Sequence, residues 1–219
     1  MSNSDHSPHR DSHDRDVEKL GANSVELDDG TVVSWESWTL GEQEKNGETV
    51  TAPILRDGTA VAEYVRVGKQ EAINSGGESW DVDQVDKARL IANLPDGRCF
   101  TAKAEDKGSV SRAKRLSVDF GTGTKADDSV VIVCESSQNY VLENTSGVKL
   151  GQFTGANHGV RHAEIQYDTP AGKDLPDEHK VFLSWVARHV LESRMISATW
   201  VLTLVLLLLI AYLTYIWML

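Results

Sequence analysis

Between Leu175 and Met195 the chain reads LPDEHKVFLSWVARHVLESRM, and the placing of polar residues there restricts the fold more than any other feature. Pro176, Asp177 and Glu178 suit a helix amino terminus, where a proline lacks no partner and acids complement the positive end of the helix dipole. Lys180, Ser184, Arg188 and Glu192 recur every four residues as one polar stripe. Val181, Phe182, Leu183, Trp185, Val186, Ala187, Val190 and Leu191 take most of the remaining circumference. A flat sheet would cover one side of such a helix, whereas an antiparallel barrel closed around it would cover nearly all.

The preceding sequence supplies the strands. TVVSWESWTL alternates Val33, Trp35, Ser37 and Thr39 against Val32, Ser34, Glu36, Trp38 and Leu40, and TAVAEYVRV sets Val61, Glu63, Val65 and Val67 against Ala62, Tyr64 and Arg66. Similar runs follow at ARLIANL, RCFTAKA, SVSRAKRLSVDF, SVVIVCE, NYVLEN, VKLGQFTG and RHAEIQY, separated by turn-forming RDG, PDG, GTGTKADD and NTSG. Connections this short favour antiparallel pairing, because parallel neighbours need a crossover of about a dozen residues or more. The expected fold is mainly β: an antiparallel barrel of about ten to twelve strands around a hydrophobic helix, with a separate transmembrane helix after it.

That last segment, WVLTLVLLLLIAYLTYIWML, is the second constraint. No Asp, Glu, Lys, Arg or His occurs from Met195 to Leu219, and as a helix the stretch from Ala198 would reach about 33 Å against a hydrocarbon core of about 30 Å. Trp200 at one end and Tyr212, Tyr215 and Trp217 towards the other match the aromatic belts of a spanning helix. Lys180, Arg188 and Arg194 precede it, no Lys or Arg follows it, and MSNSDHSPHRDSHDRD contains no signal-peptide run. The expectation is a tail-anchored, single-pass membrane protein whose amino-terminal domain is cytoplasmic. Residues 1–24 read as a disordered polar leader, 25–194 as the β-rich domain with its helix at about 177–194, and 197–219 as the anchor.

A net charge of −11 argues against a nucleic-acid partner, which would require clustered cations to neutralise phosphates. Cys99 and Cys134 sit in apolar strand contexts and are expected as buried free thiols. No Cys/His zinc spacing occurs, and His6, His9 and His13 in the leader read as solvated, so no metal or cofactor is expected.

NYVLENTSGVKLGQFTG resembles the hairpin of the Tubby-like barrel superfamily, which includes LURP-one-related proteins and phospholipid scramblases: an extended strand, a polar turn, then a return strand of G-x-x-l-G-x-f form. LPDEHKVFLSWVARHVLESRM resembles the helix that threads that barrel. The resemblance would cover residues 31–194, and the further hydrophobic segment departs from it. It implies lipid or phosphoinositide contact, lipid scrambling, or scaffolding at a membrane. No acidic calcium loop is present, so calcium dependence does not carry over.

Two clusters stand out as candidate sites. In GANHGVRHAE, His158, Arg161, His162 and Glu164 lie within seven residues beside glycines that would let backbone approach a ligand. The competing reading is a hydrogen-bonded surface row, with His162, Glu164 and Gln166 on one strand face. SRAKR brings together Arg112, Lys114 and Arg115, with Arg66, Lys69, Lys87 and Arg89 as candidate neighbours, and each basic residue near an anionic leaflet contributes about 1 kcal/mol. No nucleophile elbow, P-loop or dinucleotide fingerprint is present, so no reaction and no catalytic residue is assignable. The expected function is a membrane-held binding module presented to anionic lipid or a membrane protein; the alternative is a scramblase or lipid-acting enzyme with its site around residues 155–164.

Overall fold

A computed structural model of the chain describes residues 23–26, 28, 30–106, 108–121, 129–136, 139–154 and 163–218, without the side chains of 194–202. They form two units. The first contains a small antiparallel hairpin of β1 (Ser24–Glu26) and β2 (Val32–Ser34). The second begins at Trp35 and holds β3 (Glu36–Leu40), β4 (Glu44–Asn46), β5 (Thr49–Arg56), β6 (Thr59–Val67), β7 (Gln70–Ser75) and β8 (Glu78–Asp86). Then come β9 (Arg89–Asn93), β10 (Cys99–Ala104), β11 (Arg115–Asp119), β12 (Val130–Cys134), β13 (Asn139–Asn144), β14 (Lys149–Thr154) and β15 (Ala163–Tyr167). Helices α1 (Pro170–Lys173) and α2 (Asp177–Met218) follow.

From β5 to β15 each strand pairs antiparallel with the next, β15 pairs with β3, and β3 returns to β5, closing twelve strands into a barrel. β4 adds only to β5, beyond the end of β3. The hairpins carry the expected turn chemistry: Asp57 and Gly58 both have positive φ, as a type I′ turn needs, and the NTSG turn is held by the Asn144 side chain accepting from the Ser146 and Val148 amides.

Side-chain alternation sends Glu36, Trp38 and Leu40 inward, and likewise Ala62 and Tyr64, with Arg66 following on the same face. Val61 and Val67 point out, at 37% and 47% exposure. The valine-rich face of TAVAEYVRV is therefore the outer one, and Ala62 and Tyr64 face a lumen that is already occupied. The occupant is α2. Every residue from His179 to Arg188 is buried, nearly three turns covered on all sides, and one apolar cluster joins this helix to inward residues of strands all around the wall. Most of the polar stripe is enclosed too, with Lys180 at 1%, Ser184 at 0% and Arg188 at 6% exposure, and only Glu192 is partly open to solvent.

Local features accommodate this stripe. Pro53 in β5 falls where the partner strand changes from β3 to β4, so its missing amide donor leaves no ladder bond unmade. Its carbonyl accepts from Gly41 at 2.8 Å, and the Gly41 carbonyl accepts from Arg188 at 2.7 Å. At the opposite end Thr169 caps α1 by accepting from Gly172, and Gly172 lies so close to Leu150 that a Cβ would fall on the Leu150 carbonyl. A Cβ at Gly151 would come within 2.6 Å of the Gln166 carbonyl. In the VKLGQF stretch Gly151 thus permits the approach of β15, while Leu150 and Phe153 are buried.

Three expectations need correction. SVSRAKRLSVDF is strand only from Arg115: before it Val110 and Ala113 are buried in a turn whose Lys114 amide donates to the Asp106 carboxylate. The cysteines, expected to be buried, are not: Cys99 is exposed, because alternation gives the lumen to Phe100 and Ala102, and Cys134 is half-buried at a strand end. Finally, the barrel helix and the apolar tail, expected as separate segments, are one helix of 42 residues, about 63 Å long. Among the described residues no helix is long and apolar enough to cross a membrane. The part of the tail whose side chains are described, 203–218, extends about 24 Å. From Leu204 to Met218 its large apolar side chains are all roughly half exposed or more.

Candidate functional site

Antiparallel order gives the barrel two distinct rims. The inlet, where α2 enters, is formed by the start of β3 and the ends of β5, β7, β9, β11, β13 and β15. The outlet, where α2 leaves, is formed by the opposite strand ends, the β6–β7 and β8–β9 turns and the segment between β10 and β11.

The inlet clamps the first turn of α2. Arg98 makes two bonds to the Glu178 carboxylate, and Arg56 bonds to Glu36 at 2.9 Å and to Asp177 at 3.2 Å. Lys180 donates to Glu36 at 2.8 Å and to the Lys173 carbonyl at 2.7 Å, with its ammonium over the rings of Trp38 and Tyr167. Burial pushes the Glu36 carboxyl up, but bonds from Lys180 and Trp38, with the charges of Lys180 and Arg56, outweigh it and hold the group below its ordinary range. The Arg98 bonds likewise hold Glu178 low, against its burial. These groups satisfy one another, which identifies the inlet as a structural lock.

The outlet is different. A cavity of about 80 Å³ opens there between the wall and α2, lined by Leu40, Gln43, Tyr64, Arg66, Glu71, Trp185, Arg188, His189 and Glu192. Arg66 on β6 and Glu71 on β7 are directly opposite in register. From α2, Arg188 bonds to Glu192 at 2.6 Å, and His189 exchanges a hydrogen bond of 3.1 Å with Gln84. Burial pushes the His189 imidazole below its ordinary range against the opposing charges of Glu71 and Glu192, so it is neutral at pH 7. Burial, then the charge and hydrogen bond of Glu71, push the Tyr64 phenol up, so it stays protonated. The site presents two carboxylates, two aromatic rings and one guanidinium, Arg66, that makes no hydrogen bond or ion pair among the described residues.

Arg112, Lys114 and Arg115 are exposed on the outlet rim, and Arg115 pairs with Glu105 at 3.3 Å. The same strand order puts Lys69, Lys87 and Arg89 on this rim, so the basic residues separated along the sequence share one end of the barrel. Glu44, Asp86, Glu105 and Asp106 stand among them, giving a rim of mixed sign. His158, Arg161 and His162 lie outside the described residues. Glu164 faces outward from β15 and accepts from the Ser37 hydroxyl at 2.7 Å, in a row bonded across the outer wall. Sequence reasoning missed Tyr64, Glu71, His189 and Glu192, which converge only when the barrel closes on the helix. Their one local signal was the alternation that put Tyr64 and Arg66 on the same strand face.

No family model matches the chain, and neither a curated protein nor a solved structure matches it. The fold itself defines a class: a closed antiparallel barrel of twelve strands filled by the helix that follows them, an architecture compatible with a Tubby-like barrel.

Proposed function

We propose that the protein is a membrane-held binding module of Tubby-like type, in which α2 fills the barrel, continues into the bilayer as a single-pass anchor, and sets the outlet rim against the lipid headgroups, with the barrel on the cytoplasmic side. The observation that carries this reading is the continuity of α2 from the buried His179–Arg188 core to the exposed apolar run ending at Met218. That run has thirteen large apolar side chains about half exposed or more, so an apolar surrounding would stabilise it by roughly 10–20 kcal/mol. From Glu192 at the outlet to the expected start of the span at residue 197 is about 8 Å along the helix, comparable to a headgroup layer and within a Debye length. Arg112, Lys114 and Arg115 then face an anionic leaflet.

The test uses the full chain in vesicles, with Cys99 and Cys134 replaced by Ser and a fluorophore placed by Lys114→Cys at the outlet or Asp57→Cys at the inlet. Headgroup-attached quenchers should quench the label at position 114 and spare the one at 57. Equal quenching at both positions, or none at either, refutes the orientation.

A further inference from the structure

We propose that the outlet cavity binds a small zwitterion carrying a primary ammonium and a phosphate, the chemistry of a phosphoethanolamine headgroup. The membrane as the source of that ligand rests on the reading above; the chemistry of the cavity does not.

Size comes first. A cavity of about 80 Å³ compares with about 30 Å³ for a water in the liquid, so it admits a group of a few heavy atoms such as an aminoethyl arm. Charge comes next. Glu71 from β7 and Glu192 from α2 line the cavity from two sides, and a carboxylate has about four acceptor positions, of which Glu192 gives one to Arg188 and Glu71 one to the Tyr64 phenol. A primary ammonium offers three donors to such a pair. The rings of Tyr64 and Trp185, also in the lining, add faces that attract a cation. A lone cation would meet Arg66 and a lone anion would meet both carboxylates, so a ligand with both signs fits best. Arg66, half-buried beside Glu71, presents the planar fork that matches a phosphate. Arg188 is already committed to the Gly41 carbonyl and to Glu192, so its part is to position Glu192. Neutral His189 adds no charge to repel the ammonium.

The same lining discriminates against a quaternary ammonium. It is bulkier and has no N–H to give, so it would leave the carboxylates without donors, and a site built to accept such bonds rejects a ligand lacking them.

The experiment titrates the full chain, purified in detergent, with soluble phosphoethanolamine, phosphocholine and inorganic phosphate by calorimetry. Phosphoethanolamine should bind, the other two about tenfold more weakly or worse, and Glu71→Gln and Arg66→Gln should each weaken it about tenfold. Near-ultraviolet circular dichroism establishes that both variants keep the native packing. No binding to the folded wild type, equal binding of phosphocholine, or undiminished binding by both variants overturns the proposal. A second arm places the chain in nanodiscs of mixed phosphatidylethanolamine and phosphatidylcholine and measures the lipid retained on extraction. Enrichment of the former identifies a lipid headgroup as the source, whereas soluble binding without enrichment upholds the cavity and identifies a free zwitterion. Because the soluble titration needs no bilayer, its outcome is independent of the quenching test of orientation.

Discussion

Replacing Lys180 by Met tests whether the ion pair inside the barrel behaves as a desolvated one. Lys180 is 1% exposed and Glu36 only 11%, so the single substitution leaves a carboxylate in the wall without its closest cation. Breaking a buried pair from one side costs about 3–5 kcal/mol. Here the lower end applies, because Glu36 keeps Arg56 at 2.9 Å and the Trp38 indole, and the Met side chain fills the volume of the lysine stem. About 3 kcal/mol in a chain of this size corresponds to a fall in Tm of about 6–12 °C. Adding Glu36→Gln removes the stranded charge and should bring stability back to within about 1 kcal/mol of wild type. The assay is thermal and denaturant unfolding of the full chain in detergent, with Arg115→Gln as an exposed control expected to change stability by less than about 0.5 kcal/mol. If Lys180→Met is no more perturbing than that control, or the double variant is less stable than the single one, the pair is not desolvated and the enclosure of α2 is wrong.

Other outcomes follow from the same geometry. Gly172→Ala places a methyl on the Leu150 carbonyl and should cost about 3 kcal/mol or prevent folding, readable as lost soluble yield and lowered Tm, whereas Gly76→Ala, in a turn with open space, should cost about 1 kcal/mol from its positive φ alone. The lowered pKa of His189 means the unfolded chain binds more protons just below pH 6.5, so stability is full above 6.5 and declines as pH falls towards the folded value; His189→Gln should remove that part of the slope in pH-dependent denaturation. Glu36 and Glu178 have the carboxylate sign: their contribution is present above about 4.5 and disappears as pH falls through their lowered folded values, so Glu178→Gln should flatten the acid limb of the same curve. Neutralising Arg112, Lys114 and Arg115 together should weaken attraction to anionic vesicles by about 2–3 kcal/mol at low salt, measured as the loss of charge-dependent headgroup quenching at an outlet label on position 69, with the inlet label at 57 unquenched before and after.

Much of the architecture was legible because it is written in local periodicities. The start of α2 at Asp177 follows from Pro176 and the two acids, and the need for an enclosing wall follows from a helix apolar on nearly every side. Short turns such as Asp57–Gly58 then fix antiparallel order. What escaped was non-local. A polar stripe at four-residue spacing looks the same whether it meets water or a wall, and only the position of Glu36 and the Gly41 carbonyl shows that Lys180 and Arg188 are inside. β7 and β8 are so rich in acids and amides that few residues, chiefly Ile73, Trp80 and Val82, mark the core face. The outlet cavity unites Tyr64 and Glu71 with His189 and Glu192, more than a hundred residues away in sequence, and no spacing rule connects them. The buried stretch of the helix, with its polar stripe, and the apolar tail differ in composition, yet their backbone runs through without a break.

The filling of the barrel follows its entire wall in the chain. Every strand from β3 to β15 leaves the ribosome before the first buried turn of α2, and until that turn is available a dozen strands have no partner for the faces of Trp38, Phe100 and Tyr140. The wall is therefore a surface waiting for its centre during synthesis, exposed to chaperones and to premature collapse, and truncation anywhere before Asp177 yields a hollow, aggregation-prone sheet in place of a smaller functional domain.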